Sequence, residues 1–380
     1  MRLRTVIAAL ALTAIPAQGQ TFFQNDLSDE PDSVVRVAVI LPISAAGKAN
    51  DNYVDFYSGA LLAARDLGSK GIGLEINVFD IGEGLSSLTR ADLEHCDVII
   101  GPVSCDDITS VLEILPEDKY LISPLEQKAA TLADSARVIQ VPTPADFQTR
   151  ELAKWIAEDI TSHDSAVLVS DTASVGSHYF TTLCEELEHN GLGEGLSGIR
   201  GHNLIYNADN NRSIPLGYES GAVSDGVNNF IIASENEAFA GDVVRNVNIL
   251  NLKKYKVSLY GLSRIRSFGS IDVESLHACS LKTVGCYAVD YTDPDVKQFV
   301  KTYRSVYKGE PNSFAFQGYD IMKYFATLAH KFGDMWTYFI NRPVRGYQVS
   351  FRFSPCEGGG AVNTAVRRVT WNPDYSVETD

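Results

Sequence analysis

Residues 34–41 read VVRVAVIL, an apolar run broken by one arginine. A strand that alternates polar and apolar residues can leave one face in water. A run this continuous needs cover on both faces, the condition of a strand inside a parallel sheet. Pro42 stops it, and Val54, Tyr57, Ala60, Leu61, Ala64 and Leu67 then recur at helical spacing over 51–67. The alternation continues with a predicted strand at 73–80, a short helix at 85–93, a strand at 97–101, a helix at 104–115 and a short strand at 120–122. A second set follows VPTP at 141–144: a helix from Asp146 to 160, strand 166–170, helix 177–188, strand 229–233, helix 237–250, and strands 257–260 and 283–289. Residues 191–201 are glycine-rich, and 203–227 take no clear assignment. Pro294 opens a helix to 306, a long amphipathic helix covers 316–330, and 347–353 with 367–371 are expected to pair as a terminal hairpin around CEGGG. This repetition predicts an α/β fold of doubly wound, Rossmann-like sheets. The length of 380 residues suits about two such domains, and 45% hydrophobic residues supply their cores.

The first 19 residues read as an address. Arg2 and Arg4 precede an apolar run over 6–15 that is too short to span a bilayer, and Ala17-Gln18-Gly19 offers small residues where a signal peptidase reads. Cleavage is expected near Gln20, with no cysteine there to take a lipid. No later run is long enough for a membrane helix. The expected product is a periplasmic or secreted protein that does not insert into membranes. The full chain has a formal charge of −16, with 32 Lys and Arg against 48 Asp and Glu. No basic stripe offsets that field, so nucleic acid is excluded as a partner.

Six cysteines in an exported chain permit disulfides. Cys96 and Cys105 bracket the predicted strand 97–101, which would hold them roughly 15 Å apart, beyond the ~7 Å Cα limit of a bridge. Cys279 and Cys286 enclose SLKTVG, which can turn back on itself, and these two are the expected disulfide. The remaining cysteines read as buried thiols. No CxxC occurs.

Enzyme motifs are missing. GPVSC lacks the second glycine of a nucleophile elbow. There is no P-loop and no HExxH. Gly191-Leu192-Gly193-Glu194-Gly195 follows a helix rather than a strand and so fails as a dinucleotide loop. The seven histidines are scattered, which predicts no metal and no cofactor. Asp106-Asp107 suit the start of a helix through its dipole. The expectation is a binding protein, not an enzyme.

The segments VAVILPIS, IIGPVS and LISP, and above all VDYTDPDVKQFVKTYRSVYKGEPNSFAFQGYDIMKYF, resemble type I periplasmic binding proteins of the branched-chain amino-acid-binding group. The resemblance implies two lobes joined by three crossing strands, with a ligand cleft between them. One lobe would comprise 34–140 plus 281–332 and the other 145–280 plus 333–380, with crossings near 141–144, 283–290 and 342–347. It also implies capture of a small polar ligand, an amino acid or similar, with the closed form read by a membrane permease. A ligand-sensing or scaffolding envelope protein of the same fold, working with another envelope protein, is the second class. Neighbouring permease and ATPase genes would separate the two.

In open α/β sheets ligands bind beyond the carboxyl ends of the strands. Candidate contacts there are Ser44 and Ala46, Ser104, Ser123, Glu126 and Lys128 from the first lobe. Asp171, Ser234, Glu235 and Tyr291 come from later segments. Ser104 also suits a plain helix cap. Glu126 and Lys128 stand where the family carries small residues, and read either as selectors of a charged ligand or as a solvated turn. Tyr291 can stack on a ligand or pack the hinge. Gln317-Gly318-Tyr319-Asp320 read as packing and helix entry.

Overall fold

The computed structural model describes residues 3–6, 34–192, 200–206 and 223–380. The chain divides into two compact units, Met1–Pro144 with Tyr291–Ala365, and Ala145–Asp290 with Val366–Asp380. It therefore passes from one to the other at 144/145, 290/291 and 365/366.

In the first unit, Val35–Leu41 runs parallel between Leu74–Asp80 and Val98–Ile100, and Leu121–Ser123, Val138–Gln140 and Ala361–Asn363 continue the parallel order. Val37 through Leu41 are fully buried, as the apolar run demands. The helix Asp51–Gly68, capped by Asn50, packs along the helix Ser313–Phe332. Two glycines make that crossing possible. A Cβ on Gly59 would lie 1.9 Å from the Ala315 carbonyl oxygen, and one on Gly318 would lie 1.9 Å from that of Phe56. Below this crossing, the Asp320 carboxylate accepts the backbone N–H groups of Tyr347 (2.8 Å), Gln348 (2.7 Å) and Val349 (2.9 Å). The leader expected over 1–19 lies outside the described residues except for Leu3–Val6, which pair antiparallel with Leu74–Asp80.

The second unit is a parallel sheet in the order Arg200–Tyr206, Ser165–Asp171, Val227–Ile232, Lys256–Leu262 and Leu281–Gly285. Arg367–Trp371 and Val377–Thr379 extend it antiparallel. Its helices Ala145–Asp159, His178–Leu187, Glu237–Leu252 and Val273–Ala278 contribute Leu152, Leu183, Val243 and Leu276 to two apolar clusters. Arg367 is almost fully buried and donates to the Ala288 carbonyl at 2.8 Å.

Three expectations are corrected. The lobe limits shift, because Leu281–Gly285 hydrogen-bonds to Lys256–Leu262 in the second sheet, whereas Ala361–Asn363 pairs with Val138–Gln140 in the first. Residues 281–290 thus belong to the second unit and 333–365 to the first. The hairpin around CEGGG joins Phe353–Pro355 to Ala361–Asn363, and Arg367–Trp371 has left for the other sheet. Cys279 and Cys286 are not bridged. The intervening segment is an extended strand rather than a turn, which separates its ends by roughly 17 Å. Cys279 instead packs in the core, its thiol 3.6 Å from the Val244 carbonyl oxygen.

Candidate functional site

The first unit winds outward from Val35–Leu41 in both directions, to Leu74–Asp80 on one side and Val98–Ile100 on the other. Beyond the carboxyl ends of such diverging strands the loops part and leave room for a ligand. Gly101 ends Val98–Ile100 at φ +97°, and a Cβ there would meet the Ile40 carbonyl oxygen at 1.9 Å, so only glycine lets the strands lie this close. The Gly101–Pro102 peptide is cis. Ser104 then caps the helix Cys105–Leu112, accepting from the Asp107 N–H at 3.2 Å and donating to its carboxylate at 2.6 Å. The sequence allowed both capping and ligand contact, and the side chain is engaged as a cap.

The loop after Val35–Leu41 is held by carboxylates from the next strand end. Asp80 accepts from the Ser44 N–H at 3.1 Å, from the Gly82 N–H at 3.0 Å and from the Ser44 hydroxyl, while Glu83 accepts from the Ala46 N–H at 2.7 Å. Burial pushes the Asp80 carboxyl up, but these donors outweigh it and hold it below the usual carboxylate value.

Ser123 ends Leu121–Ser123 fully buried, in register with Gln140 of the neighbouring strand. The Ser123 hydroxyl and the Gln140 side-chain carbonyl have no hydrogen-bond partner among the described residues, although the Gln140 amide donates to the Gln127 and Pro142 carbonyls. Two adjacent orphaned polar atoms at the end of an apolar sheet are costly unless something polar meets them. In the following turn the Glu126 carboxylate accepts the Lys128 N–H at 2.9 Å, and the Lys128 ammonium makes no ion pair among the described residues. Burial, with Glu126 and Asp106 nearby, raises the Cys105 thiol above its ordinary value. That thiol is thus kept protonated, and the two loops are within electrostatic reach of each other. Tyr53, half-buried at the start of Asp51–Gly68, packs edge-on to Phe314 at 6.3 Å. Tyr291 is 62% exposed, with its ring edge-on to Phe316 at 6.1 Å.

The second unit repeats the arrangement. Ser165–Asp171 diverges to Arg200–Tyr206 on one side and Val227–Ile232 on the other. At that fork the Ser174 hydroxyl donates to Ser234 at 3.0 Å, the Asp171 carboxylate accepts the Ser174 N–H at 3.2 Å, and the Ser234 hydroxyl accepts the Asn236 N–H at 3.1 Å. Glu235 faces Arg264 at 3.8 Å, and Arg266 donates to the Tyr287 carbonyl at 3.1 Å.

The structure therefore gathers Ser44, Ala46, Ser104, Ser123, Glu126 and Lys128 on one set of strand ends, and Asp171, Ser234 and Glu235 on another. Sequence reasoning missed Gln140, Tyr53, Arg264 and Arg266. A glutamine inside the apolar run VIQVP was a legible signal for the first. The arginines sit beyond a strand end, in a short 3₁₀ segment with no pattern of its own.

No protein-family model matches the chain, and no curated protein matches it in sequence. Solved structures do. A Rhodospirillum rubrum protein, provisionally named a branched-chain amino acid ABC transporter, superposes with TM-score 0.67 at 16% identity, over 91% of this chain and all of its own. An ABC transporter substrate-binding protein from Desulfitobacterium hafniense, solved in complex with Leu, gives 0.52 at 17% identity over 91% and 99%. A further structure of a substrate-binding protein from that organism gives 0.53 at the same identity and coverage. With its two doubly wound sheets and the chain passing three times from one unit to the other, the protein has the fold of the type I periplasmic binding proteins.

Proposed function

We propose that the protein is an exported solute-binding protein that captures a small polar ligand, an amino acid or a close analogue, at the strand-end loops of its sheets for delivery to a membrane transporter. The observation that carries this reading is the buried pair Ser123 and Gln140, whose orphaned oxygens stand beside the turn carrying Glu126 and Lys128. An ammonium donor on a ligand satisfies those oxygens, and Lys128 suits its carboxylate. The same fold in a substrate-binding protein solved with Leu supports the ligand class. No helix among the described residues is long and apolar enough to cross a membrane.

The test is a melting-shift screen of the mature protein against amino acids, peptides, sugars and nucleotides. A ligand at 100 times its Kd stabilises by about 2.7 kcal/mol. An amino acid is expected to raise the melting temperature, and Lys128→Ala is expected to weaken that ligand by about 1–3 kcal/mol, the cost of a lost charged hydrogen bond. Shifts only with sugars or nucleotides would overturn the ligand class. Unchanged affinity in both Lys128→Ala and Glu126→Ala would reduce those residues to a solvated turn.

A further inference from the structure

The first unit holds a cavity of about 290 Å³ far from these loops. Arg65 and Asp66 line it from the last turn of Asp51–Gly68, roughly 20 Å along the helix from the end that meets the loops. Asp295 and Phe299 line it from the helix Pro294–Tyr307, and Tyr319 and Tyr347 complete it. Tyr319 and Tyr347 stack at 4.9 Å and 12°, with Phe299 at 4.9 Å and 5.6 Å from their centroids. This aromatic floor is rigidly set. The Tyr319 hydroxyl donates to Asp66 at 2.5 Å, and Asp320 fixes the backbone of Tyr347.

The charges around the floor form no ion pairs among the described residues, although Asp66, Asp320 and Asp295 act favourably on Lys323. Arg65 and Asp295 are exposed and make no ion pair among the described residues. Behind the rings, the Lys323 ammonium lies 5.0 Å and 5.2 Å from the two tyrosine centroids and 3.3 Å from the Tyr319 hydroxyl, also without an ion pair among those residues. Burial and the neighbouring Lys70 hold Lys323 below the usual lysine value, so an added negative charge nearby would be favourable. A plain anion would meet Asp66 and Asp295, and a plain cation would meet Arg65 and Lys323. A molecule with both charges satisfies both walls. The volume lies at the low end of ligand pockets, which run from about 300 to 1,000 Å³, and matches a single amino-acid-sized body.

We propose that this groove is a second ligand site, for a small zwitterion with an aromatic or apolar body. Its carboxylate would face Arg65, its ammonium Asp295, and its body the rings of Phe299 and Tyr347. The proposal does not depend on the function assigned to the strand-end loops.

The probes are L-phenylalanine, 2-phenylethylamine, which lacks the carboxylate, and 3-phenylpropionate, which lacks the ammonium. The readout is the methyl resonance of Leu62, a buried residue in the groove wall, assigned with Leu62→Ile in protein with labelled leucine methyls. L-Phenylalanine is expected to shift that resonance saturably. Arg65→Ala should weaken it at least about tenfold while leaving phenylethylamine unaffected, and Asp295→Asn should weaken it similarly while leaving phenylpropionate unaffected. Both side chains are exposed, so neither change threatens folding. No Leu62 shift with any probe at millimolar concentration would overturn the proposal. So would a shift that survives both substitutions, because it would arise from binding elsewhere. Stronger binding of either single-charge probe would overturn the zwitterion assignment.

Discussion

Replacing Asp320 by alanine should cost the first unit about 3–5 kcal/mol, for a reason visible in three distances. The carboxylate is 3% exposed and accepts three consecutive backbone N–H groups at 2.7–2.9 Å. Hydrogen bonds to a charged acceptor contribute about 1.5–3 kcal/mol each. Full additivity would give about 4.5–9 kcal/mol. The three donors belong to one short segment, however, and half-buried Tyr347 can recover water once the anchor is gone, so the lower range is expected. Asp320→Asn should fall between wild type and alanine. Its oxygen can serve Gln348 and Val349, which share one carboxylate oxygen, but its amide would meet the Tyr347 N–H donor to donor. For a unit of roughly 200 residues, each kcal/mol moves the melting temperature by about 2–4 °C. Alanine should therefore lower it by roughly 10 °C, as read by calorimetry and by urea titration at constant slope. A loss below about 1 kcal/mol for Asp320→Ala would refute the view that this carboxylate anchors the 346–349 segment.

Other consequences are equally direct. Gly318→Ala should destabilise by about 1–3 kcal/mol or more through overpacking, because its Cβ would sit 1.9 Å from a backbone oxygen of the partner helix; a neutral thermal melt would contradict that contact. Burial raises the Cys279 thiol to about 12 and the Cys96 thiol to about 11, so both should react with a thiol reagent only after unfolding, and a non-reducing peptide map should find Cys279 and Cys286 unlinked. Asp80 is held below the ordinary carboxylate value in the folded protein, so its contribution is complete above that value and is lost as pH falls through the lower, folded one. Amide resonances of Ser44 and Gly82 should thus report release of the 43–47 loop on the acid side. Persistence of these amide positions in Asp80→Asn would show that the carboxylate does not hold the loop.

The first sheet was legible because its physics is local. A continuous apolar run such as 35–41 cannot tolerate water on either face, so Val37–Leu41 could be buried from sequence alone. Helix starts were equally readable near residue 51, at Ser104 and at Pro294, where the side chains of Asn50, Ser104 and Asp293 form the caps. One exception was the helix expected over 85–93, which begins at Arg90. There the Asp92 carboxylate takes the Thr89 N–H at 3.0 Å and its hydroxyl at 2.7 Å, fixing the start late. Pairing across the chain was not legible, since hydrogen bonds between strands 80 residues apart leave no periodic trace. The sequence therefore points Arg367–Trp371 to a local hairpin, whereas its partner is Leu281–Gly285. The disulfide expectation failed on the same point. SLKTVG carries β-branched and small residues that suit either a strand or a turn, and the parallel partner Lys256–Leu262 decided for the strand.

The candidate sites divide along that same line. The strand-end loops follow from topology, and topology follows from the β-α alternation, so Ser44, Ser104, Ser123, Asp171 and Ser234 could be named before any fold was seen. The groove at Arg65 and Asp295 could not. Its walls come from helices separated by more than 220 positions, and each wall by itself is an ordinary solvated helix face. What turns the two faces into a site is the aromatic floor, and Tyr347 reaches that floor only because Asp320, the residue next to Tyr319, captures the segment that carries it. Asp320→Ala should therefore do more than lower stability. By freeing Tyr347 from its stack on Tyr319, it should also abolish the Leu62 response to L-phenylalanine under conditions where the unit remains folded. A folded Asp320→Ala protein with an undiminished Leu62 response would separate the anchor from the groove and leave the floor to Phe299 and Tyr319 alone.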